Sequence, residues 1–141
     1  MKKSLLLPFL IGLIAFISGC EEAEEIIPDD NSDPRDAFVG SWNCSETELK
    51  STEDYEVTID YDPNNSGQVL LKNFGLLGQD ARPYGLITGN KITIPEQDGF
   101  DGWTIMEASG DKTGDNTIEW TYKLSNGSDI FNYEATYTRV D

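Results

Sequence analysis

Along residues 54–61, DYEVTIDY, apolar and polar positions alternate: Tyr55, Val57, Ile59 and Tyr61 share one parity, and Glu56, Thr58 and Asp60 the other. TIEWTYKL (117–124) repeats the pattern with Ile118, Trp120, Tyr122 and Leu124. IFNYEATYTRV (130–140) repeats it with Phe131, Tyr133, Ala135, Tyr137 and Arg139. A period of two marks a strand with one buried face, because successive side chains of an extended chain point to opposite sides. Turn-forming clusters separate the runs: PNNSG (63–67), TGN (88–90), KTGDN (112–116) and SNGSD (125–129). Gly and Asn there accept the backbone conformations of tight turns. No window of the domain carries a convincing 3.6-residue apolar period. The pattern predicts eight strands, near 39–49, 54–61, 67–74, 81–88, 91–96, 102–109, 116–124 and 129–140. An all-β fold follows, an eight-stranded up-and-down antiparallel barrel, since closure removes the exposed edges of a meander. A two-sheet β-sandwich is the alternative.

The N-terminal pattern is different. Lys2 and Lys3 precede an uncharged apolar run at 5–17, LLLPFLIGLIAFI. A bilayer span takes about 20 residues; this shorter run suits the apolar core of a signal peptide. Residues 21–36, EEAEEIIPDDNSDPRD, then carry eight carboxylates, one arginine and two prolines. Such a stretch cannot bury enough apolar surface to offset its ordering entropy, and its charges repel, so it reads as an extended, disordered spacer. The chain divides into a signal peptide (1–19), a tether (20–36) and a single β-domain (37–141).

Composition narrows the chemistry. The 141 residues hold 26 acids, 10 bases and no histidine, for a net charge of −16. That balance disfavours nucleic acid and anionic lipid as direct partners. Without histidine, no Ser–His or Cys–His nucleophile can be assembled. No phosphate-binding loop, nucleophile elbow or dinucleotide fingerprint occurs. With 26 acids, a pair facing across a cleft in the manner of a glycosidase cannot be picked out. The expectation is a protein that is not an enzyme and needs no cofactor. Asp62–Gly67 matches the first half of a calcium loop, but Asn73 stands where the bidentate glutamate belongs and the flanks read as strands. That stretch is expected to be a hairpin turn, and no metal site is assigned. Cys44, on a strand with no basic residue nearby, reads as a small apolar side chain.

Two short motifs carry resemblances. Ile17-Ser18-Gly19-Cys20 resembles the lipobox of bacterial lipoproteins, which implies cleavage between Gly19 and Cys20 and lipid on the Cys20 thiol. Two or three acyl chains would anchor the protein essentially permanently, where one holds only marginally. Phe38-Val39-Gly40-Ser41-Trp42 resembles the first-strand signature of the lipocalin superfamily. The resemblance implies that Trp42 closes one barrel end, with Gly40 beside it and Arg139 of the last strand packed over the indole. Over residues 33–141 the chain looks like the small lipocalin-like lipoproteins of Bacteroidota, in which a D-x-R-D-x-F-V-G-x-W opening recurs. The acids after Cys20 resemble the signal that sends such lipoproteins to the cell surface, which implies an outer-membrane anchor with surface display favoured over the periplasmic face.

The inward parity places Tyr55, Tyr61, Trp120, Tyr122, Phe131, Tyr133 and Tyr137, with Trp42, inside the barrel. These rings either line a cup for a small apolar or aromatic ligand or are themselves the core. The first arrangement would make the protein a ligand-binding barrel. The second would make it a solid interaction module for a protein partner in the envelope.

Overall fold

A computed structural model describes residues 32–141. The expected signal peptide, Cys20 and most of the expected tether lie outside the described residues. Nine strands form one antiparallel sheet: β1 (Gly40–Glu48), β2 (Ser51–Tyr61), β3 (Gln68–Lys72), β4 (Tyr84–Thr88), β5 (Lys91–Ile94), β6 (Gln97–Asp98), β7 (Thr104–Gly114), β8 (Thr117–Ser125) and β9 (Ile130–Arg139). Each pairs with its neighbour in sequence except across β5 and β6. There β5 pairs directly with β7, Ile92 opposite Gly110 and Ile94 opposite Ala108. Strand β9 returns to β1, Trp42 opposite Arg139 and Cys44 opposite Tyr137. The sheet therefore closes as an eight-stranded up-and-down barrel, which rules out the sandwich.

The ninth strand comes from Pro95. Proline has no N–H to donate to the ladder, so the predicted strand at 91–96 ends at Ile94 and the chain resumes pairing with β7 at Gln97. The Gln97 side chain bridges back to β4, accepting from the Tyr84 N–H and donating to the Tyr84 carbonyl.

The alternation read in the sequence sets what lies inside. Val57, Ile59, Val69, Leu71, Ile92, Ile94, Ile105 and Ile118 are fully buried. They surround a stack of large rings in which Trp120 meets Phe74 at 5.2 Å and Tyr137 at 5.3 Å between centroids. Phe74 comes from a short 3₁₀ turn, Phe74–Leu76, that folds over the barrel after β3. Space for the Trp120 ring exists because its partner on β7 is Gly110, where even a Cβ would lie 2.6 Å from the indole. Among the described residues, these side chains form one continuous buried core.

At the end where β1 begins, Arg139 and Trp42 pack together. The Arg139 guanidinium lies 4.2 Å from the centroid of the Trp42 ring and donates to the Val39 and Ala37 carbonyls. Trp42 Nε1 donates to the Phe38 carbonyl at 2.8 Å. Gly40 has φ of +137°, and a Cβ there would lie 2.9 Å from Arg139, so the turn into β1 favours glycine.

The boundary placed at 36/37 needs correction. Asp33 caps a 3₁₀ turn over Pro34–Ala37, and Arg35 is buried beneath the closed end. Its guanidinium pairs with Asp33 at 2.6 Å, donates to the carbonyls of Asp62, Asn65 and Gln68, and lies 4.8 Å from the Tyr61 ring. Composition hides this because one buried arginine outweighs the acids around it. The loop that half-matches a calcium motif spends its carbonyls on Arg35.

Candidate functional site

Strand parity carries β1 and β2 past the core toward the opposite end, and there the inward positions turn from apolar to acidic. On β1 the inward series runs Trp42, Cys44, Glu46, Glu48; on β2 it runs back through Ile59, Val57, Tyr55 and Glu53. Glu46 and Glu53 are direct cross-strand partners. Two like charges set opposite each other destabilise a sheet.

These acids line one wall of a cavity of about 430 Å³ at the barrel mouth. The other walls come from loops of the same end: Leu76 and Leu77 after β3, and Phe100, Asp101 and Trp103 before β7. Leu124 of β8 and Tyr133 of β9 complete the lining. Trp103 is held by Phe131, 5.7 Å away between centroids, and Tyr133 stacks on Tyr122 at 5.2 Å. A larger concavity, about 580 Å³, lies over the sheet's outer side along β7, β8, β9 and β1. Thr47, Ser109, Thr121 and Glu134 line it, on the parity that points away from the core. Leu49 and Lys123 line it too, and Tyr122 and Tyr133 are its two rings against the mouth's three.

Glu46 is the residue of interest. It is 7% exposed and accepts a hydrogen bond from the Tyr55 hydroxyl, which itself lies 3.3 Å from the Tyr122 hydroxyl. Burial raises its pKa; the Tyr55 hydrogen bond opposes that shift, and nearby Glu53 and Glu48 add to it. Burial likewise raises the Tyr55 and Tyr137 hydroxyls and pushes the Cys44 thiol up to about 12. Cys44 is a buried side chain packed in the apolar core. The Tyr137 hydroxyl and Trp120 Nε1 are buried without hydrogen-bond partners among the described residues.

The seven rings proposed as a lining separate into groups. Tyr133 lines the cavity, and Tyr55 and Tyr122 sit beneath it in the hydroxyl network around Glu46. Phe131 supports Trp103 from behind. Trp120 and Tyr137 are packed core. Tyr61 is a correction: it is 44% exposed at the closed end, where its hydroxyl donates to Asp36. Its parity is right, but β2 outruns the core there. The sequence reading missed Glu46, Glu53, Trp103 and the Leu76–Leu77 turn. A signal for the two acids was present, since each occupies an inward position of an alternating strand.

Fold and site together define a closed antiparallel β-barrel, filled for most of its length and open at one acidic, aromatic-lined mouth. No protein-family model matches the sequence, and no curated protein does. Among solved structures the chain is similar to a de novo designed fluorescence-activating β-barrel, with 16% identity, 77% of this chain and 99% of that chain covered, and a TM-score of 0.50. At that identity the likeness concerns the fold alone.

Proposed function

We propose that this is a lipid-anchored cell-envelope protein whose lipocalin-like barrel binds or presents a small, apolar or aromatic ligand, without catalysis. The observation that carries the reading is the mouth: a cavity of about 430 Å³ with Trp103, Phe100, Tyr133 and three leucines on its walls. Its volume falls within the usual range for small-molecule sites. In this reading Cys20 holds the lipid to the outer membrane, the acidic spacer carries the barrel clear of it, and the cell surface is the favoured face. The lipobox-like Ile17–Cys20 and the acids after it support the anchor and its address.

Native mass spectrometry of the full chain, released from nonionic detergent after extraction from a bacterial envelope, tests both halves. The expected spectrum shows a chain beginning at an acylated Cys20 and carrying a noncovalent small-molecule adduct. Leu124→Trp, which fills the mouth, should remove the adduct and keep the acyl mass. A second reading is favoured by Leu49, Leu76, Phe100 and Ile130, exposed apolar residues in the turns and at the start of β9 at the mouth end. Such a rim suits a protein partner in the envelope. A persistently bare barrel would transfer the assignment to that reading.

A further inference from the structure

The mouth is built for charge as well as for rings. Glu46, Glu48, Glu53 and Asp101 all line it, and none of the described residues lining it is basic. Surface acids ordinarily mean little. Glu46 differs because it is buried, and among the described residues no lysine or arginine pairs with it. Its one hydrogen-bond donor among the described residues is the Tyr55 hydroxyl, bound to Oε2, and Oε1 has none. A buried carboxylate without a cation costs stability unless something compensates it. Placing Glu53 directly across the ladder increases that cost. A sheet with only structural duties would carry an apolar residue or glutamine at position 46, as it carries Trp42 opposite Val57 two layers below.

Three rings, Trp103, Phe100 and Tyr133, stand on the same cavity's walls. Aromatic faces attract cations, and the chain's net charge of −16 raises the local concentration of positive solutes. A metal ion would need acids converging on one point. Among the described residues no group of three His, Cys, Asp or Glu side chains is placed to hold one. Charge spread around an aromatic-walled space suits an extended organic cation.

We infer that the mouth selects ligands carrying a protonated amine or quaternary ammonium joined to an apolar or aromatic body. The ammonium sits between Glu46 and Glu53, and the body lies against Trp103, Tyr133 and Leu124. This rests on the ligand-binding reading above and names the ligand class for that same site. Binding supplies the positive charge that Glu46 lacks, and the Tyr55 hydroxyl holds the carboxylate in place for it.

The test uses three probes of nearly equal shape: tryptamine (cation), tryptophol (neutral) and indole-3-propionate (anion). Each is titrated calorimetrically into the full chain in nonionic detergent. Tryptamine should bind at least about tenfold more tightly than tryptophol, and the anion most weakly. In Glu46→Gln the preference of tryptamine over tryptophol should fall to near unity. In Glu119→Gln, an acid on the outer face of β8, it should be unchanged. Near-UV circular dichroism checks that the variants fold. If Glu46→Gln does not fold, Glu53→Gln gives the same readout with a partial loss. Equal binding of cation and alcohol, unaltered by either variant, overturns the inference and leaves a binding barrel indifferent to charge. No binding by any probe also overturns it, and the native adduct then decides separately whether the barrel binds small molecules at all.

Discussion

Gly110→Ala adds one carbon at the place where the barrel has least room for it. A Cβ on Gly110 would stand 2.6, 2.7 and 2.8 Å from Cε2, Cδ2 and Cζ2 of Trp120. Carbon atoms settle at about 3.5–4.0 Å, so ring and strand must separate by roughly 1 Å. The indole cannot yield cheaply: it is buried between Phe74 and Tyr137 and directly opposite Gly110 in the β7–β8 ladder. Overpacking of this kind costs about 1–3 kcal/mol, and a rigid ring against backbone belongs at the upper end. For a domain of about 110 residues, 1 kcal/mol shifts Tm by roughly 4–5 °C, so Gly110→Ala should lower Tm by about 10 °C. Trp120→Leu alone should cost about 2–4 kcal/mol through the cavity it leaves. In that background the added methyl has space, and Gly110→Ala should cost less than about 0.5 kcal/mol. Urea and thermal unfolding of the four proteins, followed by circular dichroism, complete the cycle. Additive effects, or a neutral Gly110→Ala, would refute a barrel packed solid at its waist.

Arg139→Ala should destabilise by about 2 kcal/mol through loss of the contact over Trp42 and two charge-assisted hydrogen bonds. Arg139→Lys should recover less than half of that in the same denaturation assay, because an ammonium cannot reproduce the planar fork. Arg35→Lys should likewise lower the midpoint, since three carbonyls and Asp33 are arranged around one guanidinium. Glu46→Gln should raise Tm at neutral pH. The folded state raises the pKa of Glu46, so its charged form costs stability above that pKa, and the cost is relieved as pH falls toward the unfolded value near about 4.3. Melts across pH 4–8 should show the variant's advantage shrinking through that window. Cys44 should resist iodoacetamide in the native protein and react on unfolding, as mass spectrometry of the alkylated chain would show; rapid native labelling would contradict its burial.

Glu46 illustrates what sequence alone makes visible. Period-two alternation in β2, β8 and β9 conveys strand number, order and inward parity, because a barrel with a wet outside repeats the same constraint on every strand. The Gly40–Trp42 stretch and Arg139 mark the closed end for a similar reason: only a glycine fits beneath the guanidinium. The mouth is harder to read. Its acids sit on the same parity as the core, and alternation does not say where along a strand the core stops. That limit depends on Phe74 folding back over Trp120 and on loops such as 99–103, whose shape comes from tertiary contacts. Tyr61 was misplaced for the same reason, at the opposite end of the same strand. The burial of Arg35 is hard to read because its carbonyl partners lie 27, 30 and 33 residues away and leave no mark on local composition.

The three tryptophans form a ruler along the barrel axis: Trp42 at the closed end, Trp120 at the waist and Trp103 at the mouth. Their indole N–H resonances are the most direct reporters of where a guest sits. In a titration of the ¹⁵N-labelled chain with tryptamine, the Trp103 indole signal should move most, Trp120 less, and Trp42, bonded to the Phe38 carbonyl, not at all. A titration in which Trp42 moves as far as Trp103, or in which none of the three responds, would contradict a filled barrel that binds at its acidic mouth.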